Sequence, residues 1–199
     1  MTTYPIVEHF YTLQGEGFWV GTPAYFIRLG GCDVGCSWCD TRHSWRKEGW
    51  PSFSPVEIIA WIKQTPATHV VITGGEPTMH PLTPLISALK MQGYFIQMET
   101  SGAYPLSGSL PDWITFSPKR FKPPHPAWYD YAQELKVVIH AKSDFVWAET
   151  QRSQCKSAQA YFLQPDFYNP AATQWILDYI KENPSWRLSV QWHRYLAIP

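Results

Sequence analysis

The apolar positions of this chain gather into short, β-rich runs separated by stretches with a helical period. The runs are residues 24–29 (AYFIRL), 69–73 (HVVIT), 94–99 (YFIQME), 113–117 (WITFS), 135–140 (LKVVIH), 160–164 (AYFLQ) and 187–192 (RLSVQW), and each predicts a strand. Two helices announce their starts between them. Ser54, Pro55 and Glu57 make a capping box with proline at the first helical position. Asn169 and Pro170 repeat the device, and Trp175, Ile176, Tyr179 and Ile180 then fall on one helical face. Alternation of strand and helix predicts a parallel α/β sheet. Six or seven such strands fall short of an eight-unit barrel, so the expectation is an open, partial TIM-like barrel. No regular crossover helix is expected at 106–111, which is too short, or at 117–131, which is too rich in proline. With no repeat, low-complexity tract or linker, residues 1–199 are expected to form a single domain.

In parallel barrels, sites are built at the carboxyl ends of the strands. Here those ends read GGC (30–32), GGEP (74–77), TSG (100–102), SPK (117–119), QPD (164–166) and WH (192–193). Each is glycine-rich, proline-bent or polar. A module whose strands only hold a scaffold does not need that, so the pattern predicts an enzyme.

Composition narrows the class. At 23.0 kDa the chain can bury a core without disulfide staples, which leaves its four cysteines free for chemistry. No charged leader opens it, and no apolar stretch approaches the ~20 residues needed to cross a bilayer. The expectation is a cytoplasmic protein with reduced thiols and no membrane partner. Sixteen Lys and Arg balance sixteen Asp and Glu, so nothing attracts a phosphate backbone and no nucleic-acid partner is expected. Aromatic residues equal charged ones at 16%, with 11 Trp. Some of that aromatic surface is expected to line a pocket or a subunit interface, consistent with a homodimer.

The densest chemistry lies in GGCDVGCSWCDTRHSW (30–45), which holds Cys32, Cys36 and Cys39. A structural zinc completed by His43 or Cys155 is one reading, because zinc takes four nitrogen or sulfur ligands. Loop-closure entropy does not exclude Cys155, since it grows only logarithmically. Spacing argues for another reading. Structural zinc usually uses two separated ligand pairs, whereas a three-cysteine run wraps one corner of a cubic 4Fe-4S cluster and leaves one iron open. Gly30, Gly31 and Gly35 let backbone amides turn toward such a group.

CDVGCSWC has the CxxxCxxC form of radical S-adenosylmethionine (SAM) enzymes, with an aromatic residue before the third cysteine, and GGEP resembles that superfamily's methionine-binding turn. More narrowly, LQGEG, AYFIRLGGC, CDT, TSG, SPK and the closing HRYLAIP make the chain similar to the 7-carboxy-7-deazaguanine synthase family, from Tyr11 to Pro199. The resemblance implies that SAM completes the open iron. It also implies ring contraction of 6-carboxy-5,6,7,8-tetrahydropterin to 7-carboxy-7-deazaguanine with loss of ammonia, begun by a 5'-deoxyadenosyl radical that takes hydrogen from C6. An electron donor such as flavodoxin or ferredoxin, and Mg2+, are implied with it. Some members stretch the first cysteine spacing; this chain keeps the short gap. The rival reading, an activase that installs a glycyl radical on a partner protein, shares the cluster but has no need of a pocket for a small acid.

The resemblance places the residues as follows. Cys32, Cys36 and Cys39 hold the cluster, while Cys155 matches nothing in the pattern. Trp38, Asp40, Gly74, Gly75, Glu76, Gly102, Ser117, Lys119, Gln164, Pro165, Asp166 and Phe167 meet SAM. Thr41 is the magnesium ligand, although Asp-Thr is also good capping sequence. Leu13, Gln14, Gly15, Glu16, Arg28, Thr100, His193 and Pro199 face the substrate. An amide and a carboxylate suit the donor and acceptor edge of a pterin. Arg28, inside an apolar run, needs an anion: either a protein carboxylate or that of the substrate. His193 is expected to end the last strand, and the terminal carboxylate of Pro199 to fold back over the site.

Overall fold

The computed structural model describes residues 2–106 and 108–199. The chain opens with two antiparallel strands, β1 (Tyr4–Leu13) and β2 (Pro23–Leu29), followed by a two-residue strand, β3 (Ser52–Phe53), on the far side of β1. Then come α1 (Pro55–Ile62), β4 (His69–Gly74), α2 (Thr83–Met91), β5 (Phe95–Thr100), β6 (Trp113–Phe116), α3 (Trp128–Tyr131), β7 (Glu134–Ile139), α4 (Asp144–Gln154), β8 (Ala160–Pro165), α5 (Pro170–Glu182), β9 (Trp186–Leu188) and α6 (Trp192–Leu196). The strands form one sheet in the order β3-β1-β2-β4-β5-β6-β7-β8-β9, with every neighbour from β2 to β9 parallel. This is the partial barrel expected, with an antiparallel pair added at one edge.

Pleating divides each central strand between two cores. Ile27, Leu29, Val70, Ile72, Ile96, Met98, Ile114, Leu135, Val137 and Leu163 point outward and pack under helix residues such as Ile58, Ile62, Leu85, Leu89, Ala148 and Ile176. Burying each of the larger apolar side chains contributes roughly 1.5–3 kcal/mol. The alternate positions point into the bore, where Phe26, Val71 and Ala24 form a smaller apolar group. Both helix starts read from sequence are realised. Glu57 N–H reaches Ser54 Oγ at 3.4 Å while Ser54 N–H donates to Glu57 Oε2 at 2.8 Å, and Ala171 N–H reaches Asn169 Oδ1 at 3.2 Å. Between 117 and 131 the only helix is the four-residue α3. Ser107, within the 106–111 connection, lies outside the described residues.

The bore has a floor made of aromatic rings. The loop after β1 tucks Phe18 and Trp19 under the amino ends of the strands, where Phe18 stacks on Trp113 at 4.7 Å and Trp19 meets Phe95, Trp113 and His69 edge-on at 5.1, 5.4 and 5.5 Å. Buried Glu134 fastens that loop. Its Oε2 accepts from Phe18 N–H, Trp113 Nε1 and Thr115 Oγ1, and burial pushes its carboxyl above the ordinary carboxylate range. Part of the high tryptophan content is thus explained by a plug.

Two expectations about strands change. Strand β1 carries no apolar run, because all its residues but Tyr4 and Ile6 stay partly or fully exposed and Glu8 and His9 interrupt it beside an irregular pairing with β2. The strand expected over 187–192 ends at Leu188, and Trp192 begins α6. Ser189 N–H still donates to Leu163 O on β8 at 3.0 Å, but its hydroxyl is drawn to other partners, joining Gly17 N–H to the Gln164 side-chain amide, and the chain leaves the sheet there. His193 therefore sits in a terminal helix and does not end a strand.

Candidate active site

The carboxyl ends of the strands enclose a cavity of about 420 Å³, and every residue expected at the site lines it except Gly102. Gly102 lies beside the cavity. Its φ of +74° and a backbone so close to Phe116 and Trp128 that a Cβ would fall 2.6–2.8 Å from their rings leave room for glycine alone.

At one end, the loop after β2 brings Cys32, Cys36 and Cys39 to the cavity, while Cys155 is buried at the C-cap of α4. Burial is the main reason that the Cys32 thiol is pushed up to about 11 and Cys36 is raised with it, so each gives up a proton when a metal binds. Cys32 and Gly31 are positioned by backbone bonds to Trp45 O at 3.2 Å and Ser44 O at 2.8 Å. The indole of Trp45 donates to Cys39 Sγ at 3.3 Å. Among the described residues no three His, Cys, Asp or Glu side chains gather tightly enough for a single ion. A cluster asks for less convergence, because each thiolate goes to a different iron. The donor set fits it: three thiols brought to the cavity by one loop, and a buried Trp38 indole N–H that finds no acceptor among the described residues. The Trp38 ring stacks on His140 at 5.4 Å, and Thr41 precedes a 3-10 turn (Arg42–Trp45) without capping it, its Oγ1 lying 3.6 Å from Cys39 Sγ.

The GGEP turn is pressed against this loop. A Cβ on Gly75 would fall 2.2 Å from Gly31 O, and Glu76 N–H donates to the same carbonyl at 2.8 Å. Glu76 itself is buried and already satisfied. One oxygen accepts from Thr78 N–H and from the hydroxyls of Thr78 and Thr100; the other accepts from the N–H and hydroxyl of Ser101. It ties the end of β4 to the end of β5, and the Thr100 hydroxyl expected to meet substrate is committed to it. Lys119 caps the end of β6 through Ser117, and burial pushes its ammonium down. Gln164, Pro165, Asp166 and Phe167 follow from β8, with Asp166 Oδ2 2.7 Å from His140 Nδ1.

At the other end sits a charged group. Arg28 Nε meets Glu8 at 2.5 Å and Nη1 meets Gly74 O at 3.3 Å, so its anion here is a protein carboxylate. Gln14 donates to Glu99 Oε1 at 3.0 Å, and Gln191 to Glu16 Oε1 at 3.0 Å. Between the two carboxylates stands Lys136, in contact with Glu16 Oε2 and 3.4 Å from Glu99 Oε2. Burial pushes the Glu16 carboxyl up, but the Lys136 charge and the bonds from Lys136 and Gln191 outweigh it and hold the group at about 2. Burial would likewise lower Lys136, and the charges of Glu16, Glu99 and Glu134 reverse this, holding it above an ordinary lysine.

Helix α6 closes the wall. Trp192 N–H donates to Gly15 O at 3.0 Å, Gln191 also reaches Asp40 at 2.6 Å, and Arg194 pairs with Asp40 at 3.4 Å while lying 3.9 Å over the Phe167 ring. Asp40 thus fastens the tail to the cysteine loop. Pro199 reaches the cavity lining past Ala197, whose left-handed φ of 53° turns the chain. Sequence reasoning missed Lys136, Glu99, Gln191, Arg194 and Trp45. A lysine inside the apolar run LKVVIH is the same signal that marked Arg28.

Comparison with known proteins agrees with this geometry. Residues 26–124 match the family model described as the radical SAM superfamily. The chain is 46% identical to the 7-carboxy-7-deazaguanine synthase of Synechocystis over 98% of its length and 94% of that protein's. It is 44% identical to that of Flavobacterium psychrophilum, over 98% and 92% of the two chains. The enzyme of the same name from Escherichia coli K12 shares 36% identity over 98% and 99%. The crystal structure of QueE from Escherichia coli superposes with a TM-score of 0.86 at 34% identity, covering 96% of this chain and 95% of that one. The chain belongs to the 7-carboxy-7-deazaguanine synthase family of radical SAM enzymes.

Proposed function

We propose that this cavity binds 6-carboxy-5,6,7,8-tetrahydropterin beside SAM and carries out the ring contraction that yields 7-carboxy-7-deazaguanine and ammonia, a step of queuosine-type biosynthesis. The observation that carries the reading is that three thiols, the GGEP turn, the QGE segment and the terminal Pro199 all line one cavity of about 420 Å³. That is small-molecule scale. It disfavours the glycyl-radical activase, whose substrate is a protein. Cys32, Cys36 and Cys39 would hold a 4Fe-4S cluster, which would supply the electron for cleavage of SAM. The protein's part is positioning, in which a misplacement of about 1 Å costs on the order of a hundredfold in rate.

In this reading Gly74, Gly75, Gly102, Ser117, Lys119 and the 164–167 segment hold SAM with Trp38 and Asp40. Glu76 acts from behind, by setting the shape of that turn. Leu13, Gln14, Gly15, Glu16 and His193 face the ring, Thr100 shapes the wall beside it, and Pro199 offers its carboxylate. Arg28 exchanges Glu8, whose side chain is 41% exposed, for the substrate carboxylate. Thr41, free of a capping bond, supplies one oxygen to Mg2+. One domain suffices, since the tail and the amino-terminal loop close the same cavity. An oxygen-sensitive cluster suits a reducing cytoplasm and an electron donor of the flavodoxin or ferredoxin kind. Exposed Tyr168, Trp192, Tyr195 and Leu196 support a homodimer. The test is an anaerobic assay with the pterin, SAM, dithionite and Mg2+ and no second protein, read by product mass. Product formation supports the reading; a cluster-loaded enzyme that leaves the pterin unchanged overturns it.

A further inference from the structure

Lys136 is a strand residue whose side chain is 5% exposed, and it faces the bore where its neighbours Val138 and Glu134 also point. A lone ammonium at such a depth costs several kcal/mol, so its retention needs a partner or a purpose. It has two partners from different strand ends. Glu16, on the loop after β1, touches it through Oε2; Glu99, on β5, approaches through Oε2 at 3.4 Å. The other oxygen of each carboxylate accepts from an amide, Gln191 for Glu16 and Gln14 for Glu99. All five residues line the cavity. One lysine therefore joins two carboxylates into one acceptor wall and cancels one of their two charges.

The field around Glu16 comes from every side. Lys136 from β7 and His193 from α6 bear on it directly, Glu99 from β5 and Glu134 from β7 bear on its partner Lys136, Lys119 at the end of β6 feels its charge, and Asp40 shares the Gln191 amide with it. A nucleophile or base would need a lowered lysine pKa, and here the surrounding carboxylates hold Lys136 charged. It serves as a counter-ion.

Resting on the substrate reading above, we propose that Lys136 is a positioning and specificity residue: it holds Glu16 and Glu99 side by side as ionised acceptors, so that the cavity selects a ring edge bearing adjacent N–H donors, the 2-amino and ring N–H of a pterin. Without the ammonium, two carboxylates would share a buried wall, and one would take up a proton and turn from acceptor to donor. The ring edge would then meet the wrong hydrogen-bonding group.

The experiment is anaerobic calorimetric titration of the cluster-loaded enzyme, SAM present, with 6-carboxy-5,6,7,8-tetrahydropterin and with its 2-deamino analogue, from pH 6 to 9. Wild type should prefer the pterin at every pH. In Lys136→Met the preference should fall by about tenfold or more, the scale of a lost charge-assisted bond, and pterin affinity should acquire a new acidic limb. Lys136→Met/Glu16→Gln should bind no worse than Glu16→Gln alone, and that coupling remains measurable if the single lysine variant folds poorly. Unchanged discrimination in Lys136→Met, or strictly additive losses in the double variant, would overturn the proposal. Wild-type enzyme that bound neither ring would overturn the substrate reading and the proposal with it.

Discussion

The indole N–H of Trp45 donates to Cys39 Sγ at 3.3 Å, and the same residue's carbonyl accepts Cys32 N–H at 3.2 Å. One tryptophan therefore fixes two of the three thiols. Hydrogen bonds to ligand sulfur stabilise the reduced, more negative state of an iron–sulfur cluster and raise its potential. In Trp45→Phe the ring volume remains and the donor is lost. A neutral bond of about 1 kcal/mol corresponds to about 40 mV for one electron, so the potential should fall by that order while iron content is kept. Potentiometric titration followed by electron paramagnetic resonance checks this; an unchanged potential removes Trp45 from the cluster environment.

Replacement of Cys32, Cys36 or Cys39 by alanine should each abolish iron and sulfide binding after reconstitution, whereas Cys155→Ala should bind both in full. The reason is place: Cys155 caps α4 with no exposed surface and is not part of the cavity lining. Iron analysis of the four variants decides it. Retention of iron in Cys36→Ala, or its loss in Cys155→Ala, contradicts the assignment.

Glu76→Ala should cost about 3 kcal/mol of stability or more, because Thr100, Ser101 and Thr78 would all lose the acceptor that joins the ends of β4 and β5. Urea denaturation measures it. If Glu76 instead served mainly as a direct cosubstrate ligand, the variant would unfold like wild type and lose only SAM affinity.

How much of this could be read from the sequence depends on what each residue's neighbours do. The parallel strands were legible because both of their faces are covered, which leaves uninterrupted apolar runs. Strand β1 was not, since one face is half-exposed and Glu8 reaches out to Arg28. The end of β9 was not, because Ser189 leaves the sheet for partners at Gly17 and Gln164 that are distant in sequence. Site motifs at strand ends were legible through glycine, proline and cysteine chemistry. Lys136 and Glu99 were overlooked although each is a charge inside an apolar run; the reasoning applied to Arg28 would have found them. Their partner Gln191 carries no such signal, and only the fold brings it there.

The Glu16–Lys136 pair should leave a mark on acid stability. The folded carboxyl titrates at about 2 against an ordinary value of 4.5, so its contribution is fully present above pH ~4.5 and is lost as pH falls toward 2. Lys136 is raised, and its share is present below the ordinary lysine value of 10.5 and is lost only above it. Between these limits the pair is intact. The stability difference between wild type and Glu16→Gln should therefore be flat from pH 6 to 9 and shrink below pH 4. A difference that stayed constant down to pH 2.5 in urea titrations would show that Glu16 is not held ionised by Lys136.

The tail offers the last test. Pro199 lines the cavity and is held there by a short chain of contacts: Trp192 N–H on Gly15 O, Arg194 on Asp40, and Ile198 N–H on His193 O at 3.2 Å. Ala197 adopts a left-handed conformation with φ 53°, which costs about 1 kcal/mol or slightly more for a residue with a Cβ. That strain is tolerated because it aims the terminus inward. A carboxylate exists at Pro199 only if the chain stops there, so appending a few residues should lower pterin affinity by about 1–3 kcal/mol, the scale of an unpaired polar contact. SAM and cluster binding should persist, because residues added after Pro199 leave the Arg194 contacts to Asp40 and Phe167 in place. Ala197→Gly, which relieves the backbone and leaves every contact in place, should bind the pterin at least as well as wild type. Equal affinity in the extended protein would mean that the terminus closes the cavity without touching what binds inside.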